Sequence, residues 1–108
     1  MTYIQQVRAR LIITFEPQGS KSDAGALYAH GGYEKSGATV PLKRQGDRLT
    51  LYFGELKGEP INITFDVLEV DNDFGYYAYL LHCRMLEGAR LALHRNFKAC
   101  GFERVENS

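Results

Sequence analysis

Histidine and cysteine are the side chains of this sequence most able to do chemistry near neutral pH. His30, His82 and His94 have unperturbed pKa values close to neutrality, and Cys83 and Cys100 could each supply a thiolate. No two histidines lie four residues apart on a helix, and Cys83 follows His82 on the opposite face of a strand. We therefore expect no metal site, no cofactor and no catalytic residue.

One short acidic run resembles the start of a calcium-binding loop. Asp71, Asn72 and Asp73 are followed by Gly75, but the twelfth position of such a loop is His82, which cannot supply the bidentate carboxylate. A hairpin turn explains the run better. No serine stands in a nucleophile elbow, and no glycine-rich loop leads from a strand into a helix. The sequence therefore favours a protein that is not an enzyme.

Tyrosine is the commonest aromatic residue, with seven copies beside six phenylalanines and no tryptophan. Its ring has an apolar face and a polar tip, which suits a protein interface or a ligand pocket as well as ordinary sheet packing. We assign Tyr28, Tyr33 and Tyr76 to a predicted interface. The residues predicted to face a small-molecule ligand, if there is a pocket between sheet and helix, are Tyr79, His82, Arg84 and His94.

Charge is balanced overall but unevenly distributed. The formal net charge is zero, which argues against a protein that mainly binds nucleic acid. Residues 54–75 contain six acids and one base, whereas residues 82–104 contain five bases and two acids. An ordinary solvated surface explains this distribution most simply, and a bipolar surface that orders self-association or binds an oriented partner is the alternative.

Length and composition predict one domain covering residues 1–108. With 44% hydrophobic residues, the chain can build a single core. No apolar run approaches the roughly 18 residues of a membrane span, and Met1, Thr2 and Tyr3 do not begin an export signal. We expect a cytoplasmic protein with reduced cysteines and no membrane contact.

Residues 49–86 predict an antiparallel meander of three strands. Apolar and polar residues alternate along its first two parts, and a period of two is typical of a strand. The third part carries bulk on both faces, which predicts a central strand. The residues sharing one face of each strand are Leu49, Leu51 and Phe53, then Ile61, Ile63, Phe65 and Val67, then Tyr77, Tyr79, Leu81, Cys83 and Met85.

The segments before the meander predict further strands. Residues 7–15 alternate cleanly, which predicts a strand, and residues 26–30 predict a short strand. Residues 16–24 have no periodicity and predict a flexible loop. Residues 39–44 and 49–53 flank a turn-forming triplet, Gln45, Gly46 and Asp47, which predicts a hairpin at the sheet edge.

The period changes to that of a helix near the C-terminus. Ala89, Leu93 and Phe97 lie at helical spacing, and Gly101 stands where a left-handed residue would end the helix. We predict one helix over residues 88–100, with another strand as the alternative. Residues 102–105 predict a last short strand, and residues 106–108 a frayed tail.

Together these patterns predict an α+β fold in which a curved antiparallel sheet of five to seven strands packs on one C-terminal helix. A small all-β barrel is the alternative. The leading functional hypothesis is a non-enzymatic binding or protein-interaction domain that forms a homodimer. The alternatives are a small-molecule binder or modest enzyme with a pocket between sheet and helix, and a nucleic-acid contact protein.

Overall fold

The computed structural model describes residues 4–16, 32–85 and 87–105. The predicted strand at 26–30, Tyr28, the predicted loop after Glu16 and the tail at 106–108 lie outside these ranges. Glu16 itself is the last residue of a strand. Within the described ranges the elements are six strands, β1 (Gln6–Glu16), β2 (Gly32–Pro41), β3 (Arg48–Leu56), β4 (Glu59–Asp73), β5 (Tyr76–Arg84) and β6 (Glu103–Val105), and two helices, α1 (Glu87–Ala92) and α2 (His94–Ala99).

The six strands form one curled sheet in the order β3-β4-β5-β1-β2-β6, which makes a half-barrel. The predicted α+β class, with a curved sheet against a C-terminal helix, is confirmed. The sheet is mixed and not antiparallel throughout as predicted, because β1 and β5, at its centre, run parallel. After the antiparallel pair of β1 and β2, the chain crosses to the far edge, so the meander that follows brings β5 beside β1 in the same direction.

The predicted meander of β3, β4 and β5 is confirmed, including the central place of β5. Two-residue turns join its strands, Lys57 with Gly58 and Phe74 with Gly75, and all four residues have a positive φ. Such turns match the twist of the strands they connect, as type I′ turns do.

The predicted hairpin between residues 39–44 and 49–53 is wrong. β2 pairs with β1 and β6, and β3 pairs only with β4 within the described residues. The turn after residue 44 does form, but its backbone bonds β4: Gly46 N–H donates to the Val67 carbonyl and Val67 N–H to the Asp47 carbonyl, both at 2.8 Å. The turn residues therefore mark a crossover connection.

Tyr79 fixes this crossover to the sheet. Its ring is fully buried on the inner face of β5. The hydroxyl donates to the Pro41 carbonyl and accepts from the Lys43 N–H, both at 2.9 Å. A buried phenol needs such partners, because an unsatisfied polar group in a core costs free energy.

The gap between the edge strands β3 and β6 is closed by α2. Phe97 is fully buried, and its ring centroid lies 4.9 Å from that of Phe53 in β3 and 4.6 Å from that of Tyr33 in β2. The Asn96 side chain donates to the carbonyls of Phe53 and Glu55, at 2.8 and 3.1 Å. The helix thus satisfies backbone acceptors that would stay open on an edge strand.

The predicted helix over residues 88–100 is present as two short helices, α1 and α2, which are separated at Leu93. Gly101 has a φ of 89° and ends the second helix, as predicted. Its N–H donates to the Lys98 carbonyl and the Phe102 N–H to the Phe97 carbonyl, both at 3.0 Å, which is the Schellman pattern. This left-handed turn directs the chain into β6.

Replacing Phe97 with alanine should lower the free energy of unfolding by about 3–5 kcal/mol, because it empties the centre of the core. Phe74→Ala is the matched control, since the same atoms are removed from a fully exposed ring, and its effect should stay within about 0.5 kcal/mol. Urea denaturation followed by circular dichroism measures both. Equal losses in the two variants would contradict the place given to Phe97.

Candidate interaction surface

The four residues predicted to face a ligand do not share a pocket. Tyr79 is buried on the inner face of β5, whereas His82 and Arg84 alternate with it and lie on the outer face. His94 lies in α2, where its Nδ1 is 2.6 Å from the Tyr33 hydroxyl. The structure therefore separates this set into three places.

Tyr33, predicted at an interface, packs inside the chain. It is 4% exposed, and its ring is edge-on to that of Phe15. Burial raises the pKa of Tyr33, although Arg104 and Arg90 oppose this shift by favouring the phenolate. The side chain ties β2 to the helix through His94 and offers almost no surface to a partner.

His82 and Cys83 are neighbours in β5, where alternation puts their side chains on opposite faces. His82 Nδ1 lies 4.0 Å from the Asp66 carboxylate. Burial, and then the nearby Asp66, raise the pKa of the Cys83 thiol, so the neutral form is favoured. Within the described ranges, no three His, Cys, Asp or Glu side chains could hold a metal ion together, and no helix is long and apolar enough to cross a membrane.

The outer face of the central strands carries an ordered pattern of charge. Residues of β4, β5 and β1 that pair with one another form rows across the sheet. Three successive rows on the outer face each have an acid on β4 and an aromatic, small or apolar residue on β5. Two of the three rows end in an arginine on β1. We call this surface the outer strip; its rows are Asp73-Tyr76-Arg8, Asp71-Ala78-Arg10 and Glu69-Leu80-Ile12.

A bulge in β4 puts the acids of the outer strip on the outside. The register of β4 against β5 shifts between Val67 and Glu69. Val67 and Val70 consequently both contribute to the core side, whereas Glu69 pairs with Leu80 on the outer face. Without the extra residue, strict alternation would turn the following acids inward.

Tyr76 lies at the centre of the most exposed row. It is 42% exposed, and its hydroxyl accepts a 3.1 Å hydrogen bond from the Gly37 N–H of β2. The ring therefore extends from β5 across β1, and the hydrogen bond to β2 fixes the position of its hydroxyl end. Arg8 and Asp73 on either side are exposed and make no ion pair within the described part of the chain, whereas Arg10 pairs with Glu34 at 2.7 Å.

Exposed apolar side chains continue beyond the strip at the β4–β5 turn. Phe74 is fully exposed with a φ of 51°, a conformation that is costly for a bulky residue. An open groove of about 660 Å³ separates this turn from the start of β1 and is lined by Gln5, Arg8 and Tyr77, among others. Neither core packing nor turn geometry explains a phenylalanine at this position.

The interface predicted from the sequence includes Tyr76, which the structure places on this face, but not the acids and arginines around it. Their signal was present as a spacing of two, in Arg8 with Arg10 and in Glu69 with Asp71 and Asp73. That spacing shows which residues share a face. It does not show that β5 separates the two charged columns.

Phe74→Asn should raise the free energy of unfolding by about 1 kcal/mol, because asparagine tolerates a positive φ that is strained for phenylalanine. Lys57→Asn is the matched control, since Lys57 occupies the equivalent place in the β3–β4 turn with a φ of 52°. Thermal and urea denaturation measure both variants. A destabilised Phe74→Asn would show that the ring makes contacts within the chain.

Stability should fall in alkali because of Tyr79. Burial raises the pKa of this phenol above its ordinary value of 10.0, against the opposing hydrogen bond from Lys43. The folded pKa exceeds the unfolded one, so the stabilisation is present below the unfolded value and is lost as pH rises through the folded value. Urea midpoints measured from about pH 8 to about pH 11 should fall more steeply for the wild type than for Tyr79→Phe. Parallel curves would contradict this assignment.

Comparison with known proteins gives no relative on which an interpretation of this surface could be based. No protein-family model matches the chain, and no curated protein or solved structure matches it. The charges, exposure and register of the outer strip are therefore the observations that bear on its role.

Proposed function

We propose that this protein is a non-enzymatic interaction domain that self-associates through the outer strip. The observation that carries the proposal is the register of β4, β5 and β1, which aligns an acidic, an apolar and a largely basic column on one exposed face. Such a surface is complementary in charge to a second copy of itself.

The apolar column supplies a reason for association beyond charge. Tyr76, Ala78 and Leu80 are each at least partly exposed, although their neighbours on the inner face of β5, Tyr79 and Leu81, are fully buried. Covering this column would remove apolar surface from water. A tyrosine whose ring is already held by a hydrogen bond loses little freedom on binding, which makes Tyr76 a suitable anchor.

Net charge does not oppose a dimer. The formal net charge of the chain is zero, so two copies meet without the overall repulsion that keeps many proteins apart. The small-molecule alternative has less support, because Tyr79, His82 and His94 lie in different places. The proposal includes a cytoplasmic setting, with which the free thiols of Cys83 and Cys100 are compatible.

Ala78→Lys tests the proposal by placing a long charged side chain in the middle of the outer strip. Sedimentation velocity of the wild type should show a concentration-dependent shift from monomer to dimer, and the variant should stay monomeric over the same range, because the ammonium would have to be desolvated. Asn62→Lys is the matched control: it adds the same charge to an exposed outer-face position of β4 outside the strip.

The control should dimerise like the wild type, and both variants should keep the wild-type circular dichroism spectrum. A wild type that sediments as a monomer at every concentration up to about 1 mM would overturn the proposal. Undiminished dimerisation of Ala78→Lys would place the contact elsewhere.

A further inference from the structure

We infer that two copies pack outer strip against outer strip about a twofold axis that runs parallel to β5, so that the acidic column of each copy lies over the basic column of the other. This inference rests on the proposed self-association and specifies its geometry. The juxtaposition that leads to it is the row in which Asp73 and Arg8 flank Tyr76.

The axis follows from the order of the columns. Neighbouring strands are about 4.8 Å apart, so the Cα atoms of Asp73 and Arg8 lie about 10 Å from each other, on either side of the Cα atom of Tyr76. Rotation by half a turn about a line above β5 exchanges the two sides of the strip. It therefore places Asp73 of one copy opposite Arg8 of the other, and this pairing occurs twice.

Other arrangements of the same faces bring like charges together. A twofold axis at right angles to β5 would leave each column over its own equivalent, with acids facing acids and arginines facing arginines. Like charges placed opposite one another disfavour a contact. Both axes keep the strands of the two copies aligned, as in most face-to-face sheet packing, so the charge pattern alone selects the parallel axis.

Ala78 and Leu80 of the two copies meet at the axis in this arrangement, whereas the ring of Tyr76 lies to one side of the axis because it extends from β5 across β1. The Tyr76 hydroxyl is already bonded to the Gly37 N–H at 3.1 Å, which leaves the exposed part of the ring as the contact surface. The paired charges of Arg8 and Asp73 then surround an apolar centre. This is the ordinary anatomy of a protein interface, with an apolar core and a polar rim.

The row of Arg8 and Asp73 offers a sharper test than the next row, because Arg10 already pairs with Glu34 within the chain. We would measure dimer dissociation constants for the wild type, Arg8→Glu, Asp73→Lys and the double variant. An equimolar mixture of the two single variants is the fifth sample. Arg95→Glu, a charge reversal at an exposed residue of α2, is the matched control.

Each single variant should weaken dimerisation by about tenfold or more, because both symmetry-related pairs become repulsive. The mixture should form heterodimers, and the double variant should recover a dissociation constant within about threefold of the wild type. Added salt should weaken the wild-type dimer. Arg95→Glu should dimerise normally.

Two results would overturn the inferred axis while the proposed function stands. One is a wild-type dimer that Ala78→Lys abolishes but that Arg8→Glu and Asp73→Lys leave intact. The other is loss of dimer in both single variants without recovery in the mixture or in the double variant. A monomeric wild type would overturn the proposed function and the axis together, so the two failures are distinguishable.

Discussion

The insertion of Phe97 between the edges of the curled sheet is the contact on which the rest of the fold depends. A half-barrel leaves its inner face open along one side, and here that side is filled by a ring that contacts Phe53 in the edge strand β3 and Tyr33 in β2, next to the opposite edge. Asn96, one residue earlier, bonds the carbonyls that β3 would otherwise expose. The short helix α2 thus closes the core and covers the edge of β3, which limits pairing of that edge with other chains.

Closure of the inner face determines which surface is left for function. At the crossover, Tyr79 fills the inner side and is held by two hydrogen bonds to the backbone, and Phe97 of α2 fills the other side with its ring. Buried side chains therefore fill the inner face both at the crossover and at the helix. Because side chains alternate along a strand, every residue that packs inward leaves a neighbour on the outside. The central strands thus present Tyr76, Ala78 and their flanking charges as a direct consequence of how the core is built.

Much of the architecture could be predicted from local patterns. Alternation located β1 and the three strands of the meander, and the turn residues at Gly58 and Gly75 marked their ends. Gly101 marked the end of the C-terminal helix for a backbone reason, because a left-handed residue is needed there. The hairpin expected around Gly46 failed, since turn chemistry shows where a chain bends but not which strand it meets afterwards.

The sequence alone determined which side chains share a face, because the two-residue period of a strand is a property of the backbone. It therefore already placed Arg8 with Arg10 and Glu69 with Asp71 and Asp73. Tertiary structure alone decided that these groups flank β5 from opposite sides. That depends on the parallel pairing of β1 with β5 and on the bulge after Val67, and neither leaves a local signal, since both are selected by the packing of residues far apart in the chain.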